Sequence, residues 1–455
     1  MSSLALPTDT KNLQEGGDSP RRMPKRRLPI VSLFAGTLGL DLGLEAVGFE
    51  IKVAVECNRF AVETIKRNLP HLPVIDKKIE DVSTEEILDA AGLKPGEPVV
   101  VTAGPCCQAF STAGLRGSIN DPRGVLFREF HRVVREARPR FFVMENVRGI
   151  LSAAIRHRPL AERGPGYPML SPDEELGSAL ALIVQELATL GYSTLFDLLN
   201  AADYGVPQIR ERILFTGSRD GEPVHTPEPT HSRAPGGSLR AWVTLREALA
   251  GLNDPEPAFR RFPPGKEKYV KLVPPGGNWR DLPKGLQAQA LGGAFTSWGG
   301  RGGFFRRLSF DEAAPALTTR PDSKATMMCH PEELRPLTVR ECARLQQFPD
   351  NWSFSGGLPQ QYIQLGNAVP LGLGSALGRA LRKAMRAKKR MPLGQIRCEN
   401  TGLLERLRKR PRTILNPARM RKDQTIEAAR EWLKGQERSR DQFLDFLSHD
   451  HDGEA

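Results

Sequence analysis

Short apolar runs alternate with polar or helix-periodic stretches through the first third of the chain. Buried strands are predicted by their β-branched and aromatic residues at Ile30–Phe34, Ile51–Val55, Val99–Thr102 and Phe141–Met144. Between the first two runs, apolar residues recur at helical spacing to about Val47. Strands that alternate with helices are typical of an α/β fold with a largely parallel sheet.

Two cysteines follow the third predicted strand. A Gly-Pro pair ends that strand, and Cys106 and Cys107 come next, with Gln108 and Ser111 close behind. Open α/β sheets bind ligands at the carboxyl ends of their strands, where a thiol with a lowered pKa can act as a nucleophile. The alternative is that both cysteines are small, buried hydrophobic residues.

Further polar residues are expected at the same edge of the sheet. The fourth strand runs into Glu145 and Asn146, so a parallel neighbour would place this carboxylate beside the thiols. Farther along, strand alternation puts Gln208, Arg210 and Arg212 on one face, which suits an anion or a planar polar group. The alternative is an ordinary solvated strand face.

The first strand and helix are joined by a glycine-containing turn, residues 35–39, and the second strand ends on Glu56. An acid about 20 residues after such a turn is the layout of a nucleotide-binding βαβ unit. Because the glycines do not form GxGxxG, the pattern favours a nucleoside cofactor without a pyrophosphate, such as S-adenosylmethionine.

Eight segments in fixed order resemble the cytosine-5 DNA methyltransferases, over roughly Pro29 to Leu381. They read VSLFAGTLGLDLGLEAVGFE, AVECNRFAVETIKRN, IEDVS, GPCCQAFS, ENVRGIL, QIRERILFTG, RPLTVRECARLQQFPD and LGNAVP. The resemblance implies a Rossmann-like class I methyltransferase domain with a mixed, mostly parallel sheet, and a smaller, irregular target-recognition domain. It also implies site-specific methylation of double-stranded DNA.

The resemblance assigns the catalytic roles as well. Cys107 would add to C6 of cytosine and so activate C5, while Glu145 would hold or protonate N3. Arg210 and Arg212 would help to hold the base and to order the site. Because C5 and C6 are stacked inside a duplex, the cytosine must be flipped out. The base that removes the C5 proton is not identified by the sequence.

Binding residues carry over from the matching motifs. The cofactor positions are Phe34, Gly36, Gly39, Glu56, Asp81, Asn367 and Val369. The substrate positions are Gln108, Ser111, Asn146 and Gln208, with Arg116 on a glycine-containing loop that could close over the flipped base, or be an ordinary surface loop. The chain departs from the family where proline usually precedes the nucleophile. Cys106 stands there instead and puts the geometry of the turn in doubt.

Composition agrees with a nucleic-acid partner. Lys and Arg number 65 against 53 Asp and Glu, so the net charge of +12 favours a polyanion. The six cysteines show no paired CxxC spacing, which argues against a metal site and fits a reducing cytoplasm. No apolar run approaches the length of a membrane span. We therefore expect a cytoplasmic monomer, with a cognate restriction endonuclease as an optional partner.

Changes in composition and charge along the chain suggest five regions. They are a disordered basic arm (1–28), a catalytic domain (29–218), a target-recognition domain (219–333), a return to the catalytic domain (334–385) and a basic C-terminal extension (386–455). In the target-recognition domain Arg301, Arg306 and Arg307 are the preferred DNA contacts, although each could equally be solvated surface. Truncation near Pro392 is expected to preserve catalysis, because the extension lies outside the resemblance.

Two other functions remain open at this point. A tRNA cytosine-5 methyltransferase would keep the fold, but the large Arg- and Gly-rich region argues against it. A catalytically inactive DNA-binding regulator would not need the complete set of thiol, glutamate and arginines. A dinucleotide oxidoreductase is less consistent with the sequence, because GxGxxG is absent.

Overall fold

The computed structural model describes residues 27–105, 126–159, 162–163, 166–296 and 301–403. Cys106, Cys107, Gln108, Ser111 and Arg116 lie outside these ranges. So do residues 1–26 of the predicted arm and residues 404–455 of the predicted extension.

The described chain contains strands and α-helices, which are labelled here in chain order. The strands are β1 (Leu28–Leu33), β2 (Phe49–Val55), β3 (Val74–Ile75), β4 (Val100–Ala103), β5 (Phe141–Val147), β6 (Ser193–Asn200), β7 (Gln208–Ile209), β8 (Glu211–Ser218), β9 (His231–Ser232), β10 (Arg240–Ala241), β11 (Ala314–Pro315) and β12 (Ile396–Arg397). The helices are α1 (Gly39–Glu45), α2 (Arg59–Asn68), α3 (Thr84–Ala91), α4 (Leu126–Ala137), α5 (Ser178–Ala188), α6 (Leu245–Leu249), α7 (Pro264–Val270), α8 (Lys284–Leu291), α9 (Val339–Leu345), α10 (Leu358–Asn367) and α11 (Leu371–Ala384).

Eight strands form the main sheet, in the order β12-β6-β8-β5-β4-β1-β2-β3. Strand β8 runs antiparallel to both β5 and β6, and every other pairing in this sheet is parallel. This confirms the predicted α/β class with a mixed, mostly parallel sheet.

Helices cover both faces of the sheet. Apolar residues of α3, α4 and α5 pack on one face, and those of α1 and α11 pack on the other. The alternating side chains of β1 show the division, since Val31 and Leu33 belong to the first cluster and Ile30 to the second. The result is a three-layer α/β sandwich with its ligand-binding edge at the carboxyl ends of the parallel strands.

The first and the last long helices of the sandwich touch at glycines. A Cβ placed on Gly43 would lie 2.2 Å from the carbonyl oxygen of Leu371, and one on Gly374 would lie 2.3 Å from that of Leu40. Only glycine permits backbones to approach this closely. The chain therefore returns at α11 to pack against α1.

A second region is built around two apolar clusters of its own. One joins α6 to α9 and α10, and includes Leu245, Leu308 and Leu337. The other lies between α7 and α8 and includes Tyr269 and Phe305. The first cluster contains residues from both sides of the expected boundary at 333/334, so these two predicted regions share one core.

The end of the described chain differs from expectation. Residues 386–403 were assigned to an extension outside the fold, yet β12 adds an eighth strand beside β6. Ile396 and Leu403 are buried, and Arg397 donates to the Val224 carbonyl at 3.0 Å. The motif pattern missed this strand because a two-residue edge strand leaves no periodic signal.

Candidate active site

Strands β4 and β5 bring Gly104, which precedes the two cysteines in the sequence, beside the predicted glutamate. They pair in parallel, with Ala103 opposite Met144, so that Glu145 lies beside Gly104 at the end of β4. A Cβ on Gly104 would be 3.6 Å from Glu145 Oε2. The shared edge predicted for Glu145 and the start of the turn is thus present, and Cys107 follows Gly104 by three residues.

Asn146 holds the start of the same turn. Its Nδ2 donates to the carbonyl oxygen of Pro105 at 3.5 Å, and its Oδ1 accepts from the backbone N–H of Val147 at 2.8 Å. The side chain is buried, so these bonds are sheltered from water.

Arg212 supplies the charge partner of Glu145. Its Nε lies 2.7 Å from Glu145 Oε1, and both side chains are nearly buried, at 13% and 10% exposure. Burial raises the pKa of the Glu145 carboxyl above its ordinary value, while the guanidinium groups of Arg212 and Arg210 act in the opposite direction. The net shift is upward, which favours a carboxyl group that can carry a proton in the site.

Arg210 points into the protein interior. Its guanidinium donates to three backbone carbonyl groups, those of Leu317 at 2.9 Å, Gly366 at 2.7 Å and Ala368 at 2.9 Å. Gln208 lies next to it and accepts from the N–H of Leu317 at 2.8 Å. Both side chains are buried. Their hydrogen bonds connect the β7 region to distant segments of the chain and so fix the interior side of the site.

The cofactor candidates gather around the β1–α1 turn. Phe34 and Gly36 both have positive φ, 51° and 53°, and a Cβ on Gly36 would meet no atom within 4 Å. Glu56 accepts from the N–H of Gly36 at 2.7 Å and from that of Asn58 at 2.8 Å. The turn therefore leaves open space beside the Glu56 carboxylate.

Three more predicted cofactor residues come from other segments. Asp81 is exposed at the end of a 3₁₀ helix, Ile79–Asp81. Asn367, the last residue of α10, is exposed, and Val369, two residues farther along, is buried. A Cβ on Gly39 would lie 2.2 Å from the Val369 carbonyl oxygen, so the role shown for Gly39 is close packing.

Asp41 is a buried acid that sequence reasoning did not single out. It accepts from the hydroxyl of Ser32 on β1 at 2.8 Å and from that of Thr102 on β4 at 2.5 Å. Burial raises its pKa to about 6, against the opposing hydrogen bonds. The available signal was the carboxylate of Asp41 at the third position of α1, among the apolar residues that pack against the sheet.

The arginines preferred as DNA contacts have intramolecular partners in this structure. Arg307 donates to the carbonyl groups of Pro331 at 2.9 Å and Glu332 at 2.8 Å. Arg306 donates to Met327 O at 3.2 Å, and burial lowers its pKa to about 10. Arg301 donates to two carbonyls and stacks on Trp279 at 5.3 Å. These guanidinium groups stabilise the loops of the second region through hydrogen bonds to backbone carbonyl groups.

Neither a metal-binding cluster nor a membrane-spanning helix is found among the residues described. No cluster of three or more His, Cys, Asp or Glu side chains with metal-binding geometry occurs among them. No helix in those ranges has the length and apolar character needed to cross a bilayer.

The profile of the C-5 cytosine-specific DNA methylases matches residues 28–383. The chain belongs to this family. It is 36% identical over 363 residues to the Type II methyltransferase M.Eco47II of Escherichia coli, covering 77% of this chain and 78% of the relative. It is 35% identical to the Type II methyltransferase M.Sau96I of Staphylococcus aureus, covering 77% of this chain and 75% of the relative.

Solved structures share the fold. One is Spodoptera frugiperda DNMT2 in a mutant form, with a TM-score of 0.52 and 17% identity over 78% of this chain and 99% of that one. Family membership confirms the resemblance drawn from the ordered motifs, and the enzyme is a DNA cytosine-5 methyltransferase. The tRNA and inactive-regulator alternatives are not favoured.

Proposed function

We propose that this methyltransferase modifies cytosine within a specific duplex sequence through a covalent Cys107–C6 adduct, with Glu145 acting at N3. The observation that carries the proposal is the position of the Glu145 carboxyl, at the end of β5 beside the turn that leads to Cys107. Its pKa is raised by burial, as a group that must deliver a proton requires.

The chemistry divides between the two side chains. The Cys107 thiolate forms a bond to C6, and Glu145 donates a proton or a hydrogen bond to N3, so that electron density collects at C5. S-adenosylmethionine, when bound, supplies an electrophilic methyl group. After C5 has been methylated and its proton removed, the Cys107–C6 bond breaks and the thiolate leaves.

The residues present fit S-adenosylmethionine. The positive-φ turn at Phe34 and Gly36 leaves open space, and Glu56 lies at its side with an acceptor carboxylate. Asp81 would accept from the adenine amino group, and Asn367 and Val369 would complete the pocket. No part of this assignment requires a metal.

Arg212 and Arg210 take different parts in the proposal. Arg212 contacts the Glu145 carboxyl and would hold it toward the base. Arg210 is a positioning residue, because its bonds to Gly366 and Ala368 fix the segment that leads to Asn367 and Val369. Gln108, Ser111, Arg116, Asn146 and Gln208 are proposed to shape the pocket of the flipped base.

The second region is proposed as the target-recognition domain. Its arginine-rich loops suit base edges and phosphates, although Arg301, Arg306 and Arg307 would have to exchange their carbonyl partners for DNA. We further propose that the protein is a cytoplasmic monomer. We also propose that it belongs to the Type II class, as the names of the relatives above state for those proteins. A cognate endonuclease would recognise the same site.

The test is methyl transfer from tritiated S-adenosylmethionine to unmethylated genomic duplex DNA. Wild type is compared with Cys107→Ser and with the matched control Cys106→Ser. We expect label in 5-methylcytosine that is abolished only by Cys107→Ser, and sequencing of the product then identifies the recognition site. Loss of label with Cys106→Ser alone would overturn the assignment of the nucleophile.

A further inference from the structure

A basic groove lies at the end of the sheet opposite to the candidate active site. It is formed by the turn between α1 and β2, residues Ala46–Gly48, and by the last turns of α11. Its volume is 630 Å³. Four cationic side chains line it: Arg379, Arg382, Lys383 and Arg386.

Three of these cations lie on one face of α11, because positions 379, 382 and 383 follow the i, i+3, i+4 pattern. Arg386 lies in the turn directly after the helix, and the four like charges repel one another. Lys383 is paired with Glu228 at 2.7 Å, and Arg382 donates to the carbonyl oxygen of Val47 at 2.5 Å. Within the described ranges, neither Arg379 nor Arg386 has a carboxylate partner for its guanidinium group.

The groove has the dimensions of a phosphate-backbone site. Residues 379 to 386, from α11 into the turn that follows it, span about 10 Å at 1.5 Å per residue. One DNA strand carries a phosphate about every 3.4 Å of helix axis, so about three phosphates match this length. Arginine forks bind phosphate oxygens in pairs of hydrogen bonds, and a flexible lysine adds charge.

The position of the groove separates it from the substrate duplex. Helix α11 starts at Leu371, two residues after Val369 of the proposed cofactor pocket, and runs 14 residues away from it, about 21 Å. Gly48 directly precedes β2, at the amino end of that strand. A short duplex is stiff, because the persistence length of DNA is about 150 bp, and it cannot bend from one edge of the sheet to the other.

We propose that this groove binds the phosphate backbone of a second DNA segment, outside the segment being methylated. The proposal rests on DNA as the substrate, as the family shows. Holding a second segment raises the local concentration of DNA around the enzyme and favours transfer between segments. The groove thereby accelerates the search for sites on long DNA without touching the reacting base.

The first experiment compares the full-length wild type with the double variant Arg379→Ser/Arg386→Ser. A matched control, Lys94→Ser/Arg135→Ser, removes two exposed charges from the opposite face of the sheet. A biotinylated duplex of about 20 bp with one recognition site is immobilised with the enzyme, and retention of a labelled duplex without a site is measured. The stiffness of this length keeps the duplex at one edge of the sheet.

We expect wild type and control to retain the labelled duplex and the groove variant to lose most of it. Removing two phosphate contacts should make the slope of log affinity against log salt less steep by about 1.8. Between 50 and 200 mM salt, the affinity of the groove variant should therefore fall about tenfold less than that of wild type. Equal retention by the groove variant would overturn the proposal, as would retention of labelled RNA in preference to DNA.

The second experiment measures kcat/KM for methylation on the short duplex and on plasmid-length DNA with one site. We expect the groove variant to match wild type on the short duplex and to fall several-fold on the plasmid at low salt. An equal loss on both substrates would make the groove part of the substrate contact and overturn the proposal. If the wild type methylated neither DNA, the proposed function would be contradicted instead. Failure of the groove proposal and failure of the proposed function therefore give different results.

Discussion

The guanidinium group of Arg212 holds the carboxyl group of Glu145 across an antiparallel strand pair, with 2.7 Å between Nε and Oε1. Arg212 is opposite Val147 in the register of β5 and β8, and Glu145 is opposite Leu214. The Arg212 side chain therefore reaches back from the edge of the sheet to meet the Glu145 carboxyl. The contact opposes the effect of burial on the pKa of Glu145. It therefore sets both the direction and the proton affinity of the carboxyl group.

Replacing Arg212 should alter the pH dependence of methylation. Arg212→Ala removes a group that lowers the pKa of Glu145, so that pKa rises further. If protonated Glu145 is required, activity declines as pH rises through this pKa, and the alkaline limb of the kcat profile moves to higher pH. Arg212→Lys keeps the charge and should shift the limb less. An alkaline limb that stays in place in Arg212→Ala would contradict this role.

Glu145→Gln should lower kcat by about 10²- to 10⁴-fold, the usual contribution of a general acid. The amide can donate a hydrogen bond to N3 but cannot transfer a proton. Single-turnover methylation measures the chemical step, and cofactor binding serves as the control for folding. A variant with wild-type kcat would rule out proton transfer from this residue.

The stability of the protein should depend on pH through Asp41. Its folded-state pKa, about 6, lies above the ordinary value of 3.8, so its contribution is fully present below pH 3.8 and is lost as pH rises through 6. A difference of about two units corresponds to about 3 kcal/mol. Because the unfolded carboxyl is already mostly ionised at pH 4.5, denaturant unfolding at pH 4.5 and pH 7.5 should show about 2 kcal/mol of this loss in wild type relative to Asp41→Asn. Parallel stability curves for the two proteins would contradict it.

The contact between α1 and α11 should not tolerate a methyl group. Gly43→Ala would place a carbon 2.2 Å from the Leu371 carbonyl oxygen and should lower stability by about 1–3 kcal/mol through forced separation of the helices. The matched control is Gly285→Ala in α8, where a Cβ meets nothing and helix propensity should add about 0.5–1 kcal/mol. Thermal unfolding measures both. Equal melting temperatures for the two variants would contradict the close packing.

Truncation at the C-terminus should depend on whether β12 is kept. A chain ending at Pro392 loses the buried side chains of Ile396 and Leu403, which contribute about 3 kcal/mol or more together. It also loses the bonds from Glu399 to His225 and to the Thr226 N–H. A chain ending at Leu403 should unfold like the full chain. This bears on the expectation that truncation near Pro392 preserves catalysis, which equal unfolding of both truncations would support.

The predicted strands β1, β2, β4 and β5 could be read from the sequence because each is a continuous apolar run ended by a turn or a polar residue. The partnership of Glu145 with the turn after Ala103 followed from parallel pairing alone. The strands that carry the site and the pairing of β4 with β5 could therefore be predicted from the local sequence pattern and the direction of the chain.

Other features depend on contacts that local pattern does not contain. The inward course of Arg210 requires three carbonyl groups from residues 317–368, more than 100 positions away in the chain. Asp41 acquires its partners only when β1 and β4 become neighbours. Arg306 and Arg307 resembled solvated DNA contacts because composition does not reveal that nearby loop carbonyls occupy their donors.

The glycine contact between α1 and α11 also sets the order of events during synthesis. Gly39 of α1 meets the Val369 carbonyl only after about 330 further residues have been synthesised. At about 5–20 residues per second, this interval lasts tens of seconds. The face of the sheet that α11 covers thus stays partly open until that segment has been synthesised.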